Sequence, residues 1–162
     1  WRFPVDQGNQ QSMQFAFLFN YAGMPWLTQK WSRAILDRYY GYGISDAYLG
    51  DEDQGQMSAW FVMAAMGLFQ VDGGCSINPT YGIASPLYKK ITIDLGNKFG
   101  RGKTFTIIAK NASKKNMYIQ SAVLNGKELS SPFFPASELL GGGQLVLQMG
   151  PDPDSEWGTG KR

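Results

Sequence analysis

Asp51-Glu52-Asp53-Gln54-Gly55-Gln56-Met57-Ser58-Ala59-Trp60-Phe61-Val62-Met63-Ala64-Ala65-Met66-Gly67-Leu68-Phe69 is the stretch on which the fold turns. Three carboxylates open a run in which, from Met57 to Phe69, only Ser58 and Gly67 are not plainly apolar. A run of this length predicts a helix over 52–69, and a helix apolar on every side is buried on every side. The acids at its start have two readings. Asp51 with Gln54 three residues on matches a capping box, and acids in a first turn complement the positive end of the helix dipole. One cap needs one acid, however, and here there are three, beside Gly55 and the amide of Gln56. The same stretch therefore also suits acid–base or metal chemistry.

Two more helices precede it. Residues 12–22 are apolar nearly all round and stop at Gly23. Residues 25–40 start with Pro25 at the first helical position. They show a stripe of Leu27, Trp31, Ala34 and Ile35, with Thr28, Gln29, Ser32, Arg33 and Asp37 facing away. The order buried, amphipathic, buried is the pattern of two concentric layers of antiparallel helices.

Beyond turn signals at Asp72-Gly73-Gly74, Asn78-Pro79 and Ser85-Pro86, the period changes to two. Ile91, Ile93 and Leu95 alternate with Lys90, Thr92 and Asp94. Residues 103–109, 117–124 and 144–149 also read as strands, Asn125-Gly126 as a two-residue hairpin turn, and 136–140 as a helical turn. The tail from Pro151 reads as irregular surface chain. The predicted fold class is α+β, with helices in residues 1–80 and a small antiparallel β-domain in residues 81–162.

Composition narrows the chemistry. The 162 residues carry a net charge of +2, too little for a nucleic-acid surface, and no stretch reaches the roughly 20 apolar residues of a membrane span. Residues 1–80 hold four basic and seven acidic residues, residues 81–162 eleven and six. There is no histidine, which removes His-based triads, His general bases and His-containing zinc sites from this chain. The single cysteine, Cys75, rules out an intrachain disulfide and reads as a buried or turn thiol. What remains is carboxylates, amides, hydroxyls and a hard cation. A start at Trp1, without Met and close to apolar-periodic sequence, is expected of a portion of a longer protein.

Three runs resemble glycoside hydrolase family 92: Asn20-Tyr21-Ala22-Gly23-x-Pro25-Trp26-x-Thr28-Gln29-Lys30-Trp31, Gly50-Asp51-Glu52-Asp53-x-Gly55-Gln56-Met57-Ser58-Ala59-Trp60, and Tyr81-Gly82-Ile83-Ala84-Ser85-Pro86-Leu87. The stretch from Lys103 to Gly126 is similar as well. The resemblance implies the C-terminal portion of a calcium-dependent, inverting exo-α-mannosidase: helices of an incomplete (α/α)6 barrel followed by a closing β-segment. It implies that Asp51 and Asp53 carry the base function, Asp53 foremost, while the acid is a Glu upstream of Trp1. It places Gly8-Asn9-Gln10-Gln11-Ser12 where the family often has Gly-Asn-Glu-Pro-Ser followed by two His, so that Asn9 and Gln10 are candidate calcium ligands. Asn9, Gln10 and Gln56 are the candidate substrate-binding residues. Gln10, Met13 and Gln14 depart from that pattern, and a Gln carbonyl brings calcium no charge. The implied partners are an α-linked, for preference α-1,2-linked, mannoside glycan and the N-terminal remainder of the same protein, and the implied location is outside the cytoplasm. A sugar-binding or structural piece with a degenerate site is the rival reading. Trp26, Trp31 and Trp60 are candidates to stack on sugar or to fill the core, Trp60 foremost for the core.

Overall fold

The computed structural model describes residues 6–47, 49, 50, 52 and 54–160. Asp51 and Asp53 lie outside the described residues. Among those described, four α-helices precede and punctuate two small sheets: α1 Phe15–Tyr21, α2 Pro25–Tyr39, α3 Gln56–Met66 and α4 Ala136–Leu140, with a 3₁₀ turn at Gln10–Ser12. The strands are β1 Leu68–Phe69, β2 Thr80–Ile83, β3 Lys90–Asp94, β4 Thr104–Lys110, β5 Tyr118–Leu124, β6 Lys127–Glu128, β7 Phe133–Pro135 and β8 Gly143–Gly150. The class is α+β, as the switch of period implies.

The helix expected over 52–69 is shorter at both ends. It begins at Gln56, with Gly55 at the N-cap in the left-handed region (φ 86°) and no side-chain cap there; the capping role expected of Asp51 lies outside the described residues. It ends at Gly67, also left-handed (φ 75°), whose missing Cβ leaves room for Pro86; a Cβ there falls 2.8 Å from the Pro86 ring. Leu68 and Phe69 then pair with Ile83 and Gly82 as a strand. Nor is α3 covered all round. Met57, Trp60, Ala64 and Ala65 are buried, whereas Val62 is 54% exposed, and on α1 Phe15, Leu18 and Tyr21 are exposed too. Apolar residues on every side of a short helix thus leave part of its surface uncovered among the described residues.

On α2 the expected faces are reversed. Thr28, Gln29, Ser32 and Arg33 are buried, while Leu27, Trp31 and Ala34 are only partly covered; Ile35 is buried and Asp37 exposed as expected. The reason is hydrogen bonding. Gln29 Oε1 accepts from the Ile119 N–H of β5 at 2.9 Å, and Arg33 donates to the Pro86 carbonyl at 2.8 Å. On α1, Asn20 Nδ2 donates to the Ile83 carbonyl at 3.0 Å. Polar side chains thus satisfy backbone groups that a helix-on-sheet contact takes away from water. Satisfaction is incomplete: Thr28 Oγ1, Arg33 Nε and Asn20 Oδ1 are buried without a partner. Burial lowers the Arg33 pKa, with Asp37 pulling the other way.

The larger sheet runs β3-β4-β8-β5-β6. It is mixed, not purely antiparallel: β8 inserts between β4 and β5 and pairs with β4 in parallel. The core explains this placement. Leu145, Leu147 and Met149 of β8 are buried beside Phe105, Ile107 and Ala109 of β4 and Ile119, Ala122 and Leu124 of β5, so the last strand takes the centre. The Asn125-Gly126 turn (φ 49° and 81°) joins β5 and β6 through the Leu124–Lys127 pair, the two-residue hairpin expected. The smaller sheet, β1-β2-β7, ties the end of α3 to the β region. The tail is irregular but not all on the surface: Trp157 is buried and its indole N–H donates to the Leu129 carbonyl at 3.1 Å. Cys75 is exposed in the turn after β1. Among the described residues no helix is long and apolar enough to cross a membrane.

Candidate functional site

Two loops distant in sequence meet at Gly8 and Gly50. Gly50 is left-handed (φ 92°), and a Cβ placed on it falls 2.5 Å from the Gly8 carbonyl oxygen and 3.0 Å from the Gly8 Cα. Only glycine tolerates both the conformation and the approach. The backbone leading into Asn9 and Gln10 therefore abuts the backbone leading into the acidic block.

The start of α3 is organised by Glu52. Its carbonyl accepts from the Gln56 N–H at 2.9 Å and the Met57 N–H at 3.4 Å. Its carboxylate accepts from the Ser58 N–H at 3.2 and 3.3 Å and from the Ser58 hydroxyl. The Ala59 N–H goes to the Gly55 carbonyl at 3.0 Å. Three of the N–H groups that a helix start leaves orphaned, those of Gln56, Met57 and Ser58, are thus satisfied by one glutamate, and the Ala59 N–H makes the first bond within the helix. A negative charge at this end also complements the helix dipole.

Beneath lies an aromatic support. Trp60 is buried, donates its indole N–H to the Met13 carbonyl at 2.9 Å, meets Phe17 edge-on and stacks on Tyr40 with centroids 5.5 Å apart. It is core, as expected. Gln7 is wholly buried; its Nε2 reaches the Tyr40 hydroxyl at 3.5 Å, and its Oε1 has no partner. Burial pushes the Tyr40 pKa up to about 12, the charge of Glu52 adding to the rise and the Gln7 contact opposing it.

A cleft of about 550 Å³ opens above this support. Its apolar wall is Met13, Ala59, Trp60, Met63, Phe69 and Val71, and its polar groups are the amides of Gln10, Gln14, Gln56 and Gln70 with Tyr81. Burial raises the Tyr81 pKa, so the phenol stays protonated at neutral pH. Apolar walls with a few placed polar groups are typical of small-molecule sites, and amides both donate to and accept from neutral hydroxyls. Of the residues singled out in sequence, Gln10 and Gln56 come together here, whereas Asn9 is exposed at the N-cap of the 3₁₀ turn and caps nothing with its side chain. Gln14 came to notice only as a replacement. The contributions of Glu52, Gln70 and Tyr81 went unread; Ser58, six residues after Glu52, was the one local signal.

The donors are consistent with calcium as two of its oxygen ligands. Asn9 and Gln10 are exposed amides with hard, neutral carbonyl oxygens, and a full calcium shell takes six to eight oxygens, usually with carboxylate charge among them. Among the described residues no group of three His, Cys, Asp or Glu is arranged to hold a metal.

The comparisons agree on one family. Residues 2–151 match the glycosyl hydrolase family 92 catalytic domain. A protein described as an uncharacterized secreted glycosidase of Arthroderma benhamiae is 34% identical over 156 residues, which are 95% of this chain and 19% of that protein. A family 92 α-mannosidase of Bacteroides thetaiotaomicron, solved in complex with mannoimidazole, superposes with a TM-score of 0.85 at 35% identity over 94% of this chain and 19% of its own. A family 92 inverting mannosidase of the same organism gives 0.83 at 40% identity over 95% of this chain and 20% of its own. The chain spans about a fifth of the length of these relatives. It belongs to glycosyl hydrolase family 92, as a portion of that family's catalytic domain.

Proposed function

We propose that the chain is the base-bearing part of an inverting α-mannosidase that releases mannose from α-linked glycans, α-1,2 linkages for preference, outside the cytoplasm. Residues 1–80 are then the last helices of an (α/α)6 barrel and residues 81–162 the β domain that closes it. The carrying observation is the Gly8–Gly50 contact, which joins the Asn9-Gln10 loop to the acidic block beside a cleft lined by amides. Relatives named as a mannosidase bound to mannoimidazole, an inverting mannosidase and a secreted glycosidase support substrate, stereochemistry and location in turn.

Inversion divides the work between two carboxyls. One, ionised, takes a proton from water on the face opposite the leaving group; the other, neutral, protonates the departing oxygen, with about 6.5–9.5 Å between them for the water. Glu52 is committed to Ser58, which leaves Asp53 as the base and Asp51 to assist or orient the water. The acid comes from the remainder of the protein. Gln10 and Gln56 bond the sugar hydroxyls through their amides. Calcium, where bound, would coordinate sugar hydroxyls and so distort the ring toward the shape of the oxocarbenium-like transition state; Asn9 and Gln10 are the ligands this chain offers.

The test is mannose release from α-mannosides by the full-length protein, with and without EDTA and as Asp53→Asn. Turnover indifferent to both treatments, or no turnover at all, sinks the proposal. The rival, sugar binding without catalysis, draws on two features: Gln10 brings no charge, and Met13 lies in the core with its carbonyl held by Trp60. Calorimetry that finds calcium-dependent mannoside binding without turnover favours it.

A further inference from the structure

We propose that Glu52 is a positioning residue: by tying itself to Ser58 it fixes the backbone from which Asp51 and Asp53 branch. The proposal rests on the reading of Asp53 as general base.

The backbone here is unusual. Gly50 (φ 92°), Glu52 (φ 67°), Gln54 (φ 64°) and Gly55 (φ 86°) all lie in the left-handed region, and two of them carry side chains. Such residues hold this conformation only where their surroundings over-determine it, and they gather at functional sites. Two clamps are present. Gly50 is pressed against Gly8 on the upstream side. On the downstream side Glu52 closes a loop over residues 52–58, giving its carbonyl to Gln56 and Met57 and its carboxylate to the amide and hydroxyl of Ser58. That carboxylate lies over Gly55, where a Cβ comes within 3.7 Å of Glu52 Oε1. A plain helix cap needs only an Asp, Asn, Ser or Thr at position 55. Here the N-cap is Gly55, and the anion reaches in from three residues upstream. The helix start and Glu52 are thereby one hydrogen-bonded unit, and the middle carboxylate of the three is used in backbone architecture.

The experiment is steady-state kinetics on an α-mannoside with the full-length protein, comparing Glu52→Ala, Glu52→Gln, Ser58→Ala and Asp53→Asn. Misplacing a reacting group by about 1 Å costs roughly 100-fold, so Glu52→Ala is expected to lose about that in kcat, with KM within about threefold. Glu52→Gln keeps an oxygen for the Ser58 N–H and is expected to recover at least about tenfold of the loss, with the acid limb of the pH profile in place because Asp53 still titrates. Ser58→Ala, which keeps the amide bond, is expected to lose severalfold and serves if Glu52→Ala does not fold. Glu52→Ala with wild-type kcat beside an inactive Asp53→Asn overturns the positioning role and leaves the base reading standing. A loss in Glu52→Ala that Glu52→Gln does not rescue, with melting temperature and KM moving in step, also overturns it. Full activity in Asp53→Asn, or none in the wild type, overturns both.

Discussion

Gln29→Leu isolates one hydrogen bond that joins the two regions of the molecule. Gln29 is 1% exposed, and its Oε1 accepts from the Ile119 N–H, ninety positions away, at 2.9 Å. Leucine keeps most of the volume and loses the acceptor. The Ile119 amide is then buried without a partner, a cost of about 1–3 kcal/mol. A midpoint of about 2 kcal/mol is roughly 30-fold in an opening equilibrium. Thr28→Val is the matched control on the same helix face. The Thr28 hydroxyl is fully buried and already unpartnered, so a methyl in its place is expected to be neutral or stabilising by up to about 1 kcal/mol. Hydrogen exchange on the full-length protein, read on peptides covering β5, measures the first change locally, and thermal denaturation compares the two. If this face of α2 were a solvated one, both substitutions would fall within about 0.5 kcal/mol of zero. Equal, negligible effects therefore refute the buried polar contact.

Gly50→Ala forces a Cβ against Gly8 in a left-handed conformation, so it is expected to lower the melting temperature and turnover together; a silent substitution refutes the close approach. Gln10→Glu adds a charge beside Asn9 and is expected to tighten calcium binding about tenfold or more by calorimetry; unchanged affinity removes Gln10 from the ligand set. Tyr40 has a folded pKa raised to about 12 from 10.0, so its contribution to stability is complete below pH 10 and is lost as pH rises toward 12. Tyr40→Phe is expected to flatten the fall in stability across that window, and an unchanged slope refutes burial of the phenol.

The longer strands β3, β4, β5 and β8 were legible in the sequence, because alternation of period two and the Asn125-Gly126 turn are local signals. The central place of β8 was not, since pairing of distant strands leaves no local mark. The short strands β1 and β2 were hidden in apolar and turn-rich stretches, Leu68 and Phe69 being absorbed into the helix that Gly67 in fact ends. On α2 the hydrophobic pattern pointed the wrong way for a physical reason: Gln29 and Arg33 are inside because backbone groups of β5 and of the Ser85-Pro86 segment need partners there. Of the site, the acidic block and the Gln10 loop were visible as motifs. Their meeting through Gly8 and Gly50 depends on a tertiary contact that no spacing encodes, whereas the hold of Glu52 on Ser58 is local and follows from the left-handed turn at Gly55.

Proton NMR of the sugar first released from an α-mannoside by the full-length protein tests the central assignment most directly. A base that activates water from the face opposite the leaving group must yield β-mannose first, with the α-anomer growing in only by mutarotation. α-Mannose as the first-formed product means that a carboxylate attacked the sugar itself, and it is incompatible with Asp53 acting as the base of a single displacement.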